Sequence, residues 1–162
     1  MTLAAVSDAG PLIHLAEIDS LERLSLFDVL LIPQTVYAEI EAGDVPSGLD
    51  NVSYELVDVD DEQKGTVDLD AGESAAIAVA KERDVVLLTD DLAARESASN
   101  DGVDVHGSIG IIALAHARGF LDADEAATLM RSLQRETSLF VTDAVIERGI
   151  ELLDNTQRER SE

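Results

Sequence analysis

Asp84-Val85-Val86-Leu87-Leu88-Thr89-Asp90-Asp91 is the stretch on which the fold turns. It is a short apolar run bounded by turn chemistry, and reads as a buried strand. Working outward, Leu3-Ala4-Ala5-Val6-Ser7 is a second run of the same kind, closed by Asp8. Each strand therefore delivers carboxylates at its carboxyl end. In open α/β sheets that edge, at the point where the strand order reverses, is where ligands bind.

Two glutamates join this edge through their phase on helices. In Gln34-Thr35-Val36-Tyr37-Ala38-Glu39-Ile40-Glu41 the spacing of Val36, Glu39, Ile40 and Gly43 places Glu39 on the apolar stripe. In Ala71-Gly72-Glu73-Ser74-Ala75-Ala76-Ile77-Ala78-Val79-Ala80, Glu73 shares a face with Ala76, Ile77 and Ala80. Both are expected to point inward. A helix after a strand starts at the sheet's carboxyl edge, so Glu73 is expected beside Asp8 and the Asp90/Asp91 pair, where the helix dipole also favours anions.

Carboxylates gathered in this way repel, by roughly 4 kcal/mol for a pair about 4 Å apart at an effective dielectric near 20. A divalent cation relieves that repulsion. The donors are all oxygen, with no thiolate and no clustered imidazole, so Mg²⁺ or Mn²⁺ is expected rather than Zn²⁺. Such a site suits metal-assisted phosphodiester hydrolysis.

Short apolar strands are expected near 3–7, 28–32, 53–59, 85–89 and 103–106. Helices are expected near 11–17, 19–26, 34–42, 71–83, 91–99, 108–118, 122–136 and 142–154. That alternation is the α/β pattern. The charged stretch from Asp58 to Asp70 is either a flap beside the site or a solvated connector. A chain of 162 residues is one domain, able to bury roughly 68 to 70 per cent of its unfolded surface. We assign 1–156 to that domain and 157–162 to a short flexible tail. No long apolar run or leader pattern occurs, so neither a membrane span nor a signal peptide is expected. The chain has no cysteine, which fits a cytoplasmic setting.

The charge balance is extreme: 34 Asp and Glu against 11 Lys and Arg, a formal net of −23. Taken at face value, it opposes nucleic acid, which needs a basic footprint. It also fits a halophilic archaeal protein, because in molar salt the Debye length is about 3 Å and such repulsion is screened. The charge therefore does not decide function.

The order of these motifs resembles the PIN-domain family, the ribonuclease fold of VapC-type toxins. The resemblance rests on Ser7-Asp8-Ala9-Gly10-Pro11-Leu12-Ile13, Val36-Tyr37-Ala38-Glu39-Ile40, Leu69-Asp70-Ala71-Gly72-Glu73-Ser74-Ala75-Ala76-Ile77-Ala78 and Leu87-Leu88-Thr89-Asp90-Asp91-Leu92-Ala93-Ala94-Arg95. Val105-His106-Gly107-Ser108-Ile109-Gly110-Ile111-Ile112 is similar to a strand-to-helix turn of a largely uncharacterised PIN branch. The resemblance covers nearly the whole chain. It implies a three-layer α/β/α fold with a five-stranded parallel sheet of order 3-2-1-4-5. It carries the family's acidic positions onto Asp8, Glu39, Glu73 and, of the adjacent pair, Asp91, with Asp90 as an additional candidate ligand. It also implies an RNA substrate, a small antitoxin partner and a homodimer. Many members have Asp where this chain has the longer Glu73.

Other residues have two readings. Asp8 and Asp91 suit helix N-caps and Glu73 suits a capping box. Ser7, Thr89, Arg95 and Ser108 are candidates for supporting the acids or binding substrate. Arg95 either pairs with Asp91 or reaches a phosphate, and Ser108 is expected to cap its helix. His14, His106 and His116 lack ligand spacing and are assigned to packing or surface. A haloacid-dehalogenase-like phosphatase needs an acid where Gly10 stands, and a receiver domain needs a late lysine that the chain does not have. The expected activity is that of a metal-dependent endoribonuclease, in the manner of a toxin; the alternative is a noncatalytic module binding RNA or protein.

Overall fold

The computed structural model describes residues 3–43, 45–59 and 69–161, with side chains as far as 153. Its centre is β1 (Ala4–Ser7), which pairs in parallel with β2 (Val29–Pro33) on one side and β4 (Val86–Leu88) on the other. The edges are β3 (Glu55–Val57) beside β2 and β5 (Val105–His106) beside β4. The resulting order, β3-β2-β1-β4-β5, is the one the resemblance implied. The chain leaves β1 toward one edge and returns to β4 on its other side. The switch point therefore lies between the ends of β1 and β4, where Asp8 and Thr89 to Asp91 sit.

Alternation across the pleat makes a three-layer structure. Ala5, Leu30, Ile32 and Leu88 face one apolar cluster, built with Leu12, Leu15, Ile111, Ile112, Met130 and Leu133. Val6, Leu31 and Leu87 face the other, built with Ala76, Ile77, Val79, Ala80, Ala94 and Ala98. The first layer comprises α1 (Ala9–Glu17), α2 (Gln34–Ala42), α5 (Ser108–Ala117), α6 (Ala123–Glu136) and α7 (Asp143–Ser161); the second is α3 (Ala71–Arg83) with α4 (Leu92–Asn100). The alanines of α3 lack bulk, so that helix lies directly on β1, β2 and β4.

Three predicted elements differ. The helix expected over 19–26 is a 3-10 turn, Leu21–Leu26, because burial of Leu21, Leu24 and Leu26, rather than α periodicity, set its apolar spacing. A second such turn, Ser47–Asn51, packs Leu49 into the core. The strand expected over 53–59 shortens to three residues at an exposed edge. The last helix continues to Ser161, past its expected end at 154. Of the charged stretch read as flap or connector, 60–68 lies outside the described residues. Among those described, no helix is long and apolar enough to cross a membrane.

Candidate acidic active site

Asp8 is the buried member of the acidic edge, with 6% of its surface exposed. It caps α1 by accepting from the Ala9 amide at 2.8 Å, and it accepts from Thr89 Oγ1 at 2.9 Å across the β1/β4 switch point. Burial pushes its carboxyl pKa above the ordinary value, against those two hydrogen bonds, and the negative charges of Asp70 and Asp91 push the same way. Thr89 Oγ1 also accepts from the Asp91 amide at 3.2 Å, so one hydroxyl ties the two strand ends together. Ser7 is fully buried and donates to the Asp8 carbonyl at 2.8 Å; it braces the strand end.

Asp91 is exposed and caps α4, with Oδ2 accepting from Ala94 at 2.9 Å. Among the described residues its Oδ1 makes no hydrogen bond. Glu73 is half-buried in the first turn of α3. Its Oε2 accepts from the Asp70 amide at 3.1 Å while Asp70 Oδ1 accepts from the Glu73 amide at 2.8 Å, a complete capping box. Burial drives the Glu73 carboxyl up to about 7, helped by the charges of Asp70, Asp91 and Asp8.

Glu39 corrects the expectation that both glutamates point inward. It is exposed, and its carboxylate turns to the amino end of α3, where Oε1 accepts from the Gly72 amide at 3.1 Å. A free backbone donor at a helix start is a better partner for an anion than the apolar stripe. A Cβ at position 72 would stand 2.6 Å from Glu39 Oε2, so glycine makes this approach possible. Burial, then the charges of Asp70 and Asp8, raise the Glu39 pKa.

Asp70 is the member that motif reading missed. Its charge raises the pKa of Asp8, Glu39 and Glu73. The visible signal was the Asp70-x-x-Glu73 spacing ahead of an alanine-rich run.

Asp90 is turned away from this group. Oδ1 accepts from the Ser108 amide at 2.6 Å, and Oδ2 accepts from Ser108 Oγ at 2.6 Å and faces His14 Nδ1 at 2.7 Å. Burial alone would raise its pKa, but the His14 and Ser108 hydrogen bonds outweigh it and hold the carboxyl below its ordinary range. With both oxygens engaged, Asp90 is a brace joining β4 to α1 and α5, in place of the metal ligand considered for it. Its partners correct one reading: Ser108 is the first helical residue after a Gly107 cap rather than the cap itself, and its amide is filled by Asp90, while His14 packs onto the same carboxylate. A Cβ on Gly107 would meet Asp90 Oδ1 at 2.8 Å, which ties glycine to that turn. Arg95 is exposed beside His106 and Gly107, and among the described residues it makes no ion pair with Asp91.

Asp8, Glu39 and Glu73 thus share one field in which burial, and then neighbouring carboxylates that include Asp70 and Asp91, disfavours their ionisation. Their oxygen donors and unrelieved repulsion fit a hard divalent cation. Among the described residues, no three acidic or imidazole groups stand close enough to form a ready metal cage. The arrangement is open, and suits an ion that keeps several of its waters.

Comparison with known proteins agrees with this fold. The fold is similar to that of a PilT N-terminus domain protein, SSO1118, from the hyperthermophilic archaeon Sulfolobus solfataricus P2, with a TM-score of 0.59 and 23% identity over 70% of this chain and 93% of that one. No curated protein sequence matches. Residues 4–155 match the family described as DUF3368, PIN domain, whose relatives are generally nucleases. With that match spanning nearly its whole length, the chain belongs to the PIN-domain family.

Proposed function

We propose that this protein is a metal-dependent endoribonuclease whose ion is held by Asp8 and Asp91 with Glu39 and Glu73, and that Mg²⁺ or Mn²⁺ serves. The observation that carries the reading is the gathering of Asp8, Glu39 and Glu73 with Asp70 and Asp91 beside the β1/β4 switch point, where burial first and neighbouring acids second raise the pKa of Asp8, Glu39 and Glu73. Acids that destabilise one another where ligands bind are a functional arrangement more than a structural one. A bound divalent ion would lower the pKa of water and neutralise charge on the phosphate.

The chain's own groups define the rest. Thr89 and Ser7 fix Asp8 from two sides, so it meets a ligand without reorganising. Asp91 offers Oδ1 while its other oxygen stays on the α4 cap. Glu73 Oε1 takes no part in the capping box, and its carboxyl, pushed up to about 7 by burial and neighbouring acids, would give up its proton as the ion binds. Asp90 keeps the β4 end in register through its bonds to Ser108.

Purified protein incubated with structured and single-stranded RNA separates this reading from a noncatalytic module. Cleavage that requires Mn²⁺ or Mg²⁺ supports the nuclease. RNA that is retained intact on the protein at saturating metal overturns it.

A further inference from the structure

Beside the acidic edge lies a second feature that the capping and packing of the fold do not use. A groove of about 490 Å³ runs between the β4–α4 and β5–α5 turns and the segment joining α6 to α7. Asp90 and Leu92, the chain neighbours of Asp91, are among its lining residues. Leu92 is 77% exposed and Phe140 90% exposed, on a chain whose aromatic content is 3%. Arg95, His106 and Arg148 line the same groove, although acids outnumber basic residues by 34 to 11. Among the described residues Arg148 is engaged in an exposed 3.4 Å pair with Glu151, which a phosphate can displace at little cost.

We infer that this groove binds the single-stranded RNA flanking the cleaved bond, with Phe140 and Leu92 as faces on which bases stack and Arg95 and Arg148 as phosphate contacts. The inference rests on the ribonuclease reading and deepens it. Single strands are held by aromatic platforms together with local cations, and the stacking part tolerates any base. A surface with a net of −23 cannot hold RNA by charge alone. Uncharged stacking is not lost in salt, so a groove of this kind lets an acid-rich protein hold a polyanion. Arg95 and Arg148 place local positive charge in the groove of a chain whose net charge repels RNA. A duplex, whose bases are covered, should bind poorly.

The test uses the full chain in EDTA, where no cleavage competes. Binding of a fluorescein-labelled single-stranded RNA decamer, and of the same sequence as a duplex, is followed by anisotropy for wild type, Phe140→Ala and Phe140→Trp. Because the chain contains no tryptophan, Phe140→Trp introduces its sole indole. The expected results are preference for the single strand, loss of about tenfold or more in affinity for Phe140→Ala, recovery with Phe140→Trp, and quenching of the indole by RNA. Unchanged affinity in Phe140→Ala with an unquenched indole overturns the inference. So does sedimentation showing a dimer that Phe140→Ala dissociates, since the groove would then belong to a second copy. Metal-dependent cleavage with unaltered Phe140→Ala binding sinks this inference alone, whereas stacking without cleavage at saturating Mn²⁺ sinks the nuclease reading alone.

Discussion

Gly72→Ala separates ligand geometry from folding at a single atom. The atoms nearest the added Cβ are the far end of the Glu39 side chain, so the helix tolerates alanine while the carboxylate moves. We expect a melting temperature equal to or above wild type, since alanine also favours the helix, together with about tenfold weaker Mn²⁺ binding by calorimetry. Unchanged Mn²⁺ affinity would remove Glu39 from the ligand set. Protonation offers a second test. Asp8, Glu39 and Glu73 have folded pKa values above their unfolded ones, so the stability they contribute is fully present below the unfolded values and is lost as pH rises, for Glu73 through about 7. Asp90 is shifted the other way and loses its contribution in acid. The metal-free protein should therefore melt at a lower temperature at pH 8 than at pH 5, and Glu73→Gln should flatten that fall. A melting temperature that rises over the same interval would contradict it. At this scale Asp8, Glu73 and Asp91 were legible because strand ends and helix starts announce themselves in sequence. The Asp90 brace was not, because its partners His14 and Ser108 lie 76 and 18 residues away and no local pattern records such distances.

At the level of elements, β1, β2 and β4 were readable because buried strands of a parallel sheet are continuous apolar runs. The 19–26 segment was not, since leucines spaced for burial in a 3-10 turn mimic a helical stripe. β3 was overextended because edge strands carry no apolar signal of their own. The brace gives a test of element docking. Asp90→Asn keeps the shape but weakens the bonds to His14 and to Ser108 on α5, and should lower stability by about 1–3 kcal/mol in urea. It should leave cleavage per folded molecule closer to wild type than Asp91→Asn does. The reverse ranking, with Asp91→Asn nearly active beside an inactive, fully folded Asp90→Asn, would show that the wrong carboxylate has been given the metal.

For the molecule as a whole, sheet order came from the family resemblance, and the strand runs alone did not dictate it. Net charge was visible at once but pointed two ways. We read the surplus of 34 acids over 11 bases as suited to molar salt. Raising KCl from about 0.1 M to molar concentration, where screening shortens to about 3 Å, should raise the melting temperature; an equal or higher value at low salt would count against that reading. The central claim, however, is that the acidic edge is a metal-dependent phosphodiesterase. Its most direct test is the single-turnover rate of RNA cleavage against Mn²⁺ concentration, for wild type and Asp8→Asn in molar KCl. The account predicts background rates in EDTA, a saturable rise with Mn²⁺, and a rate about a hundredfold or more lower for folded Asp8→Asn at every concentration. Full wild-type cleavage in EDTA, or an Asp8→Asn variant as fast as wild type, would contradict it.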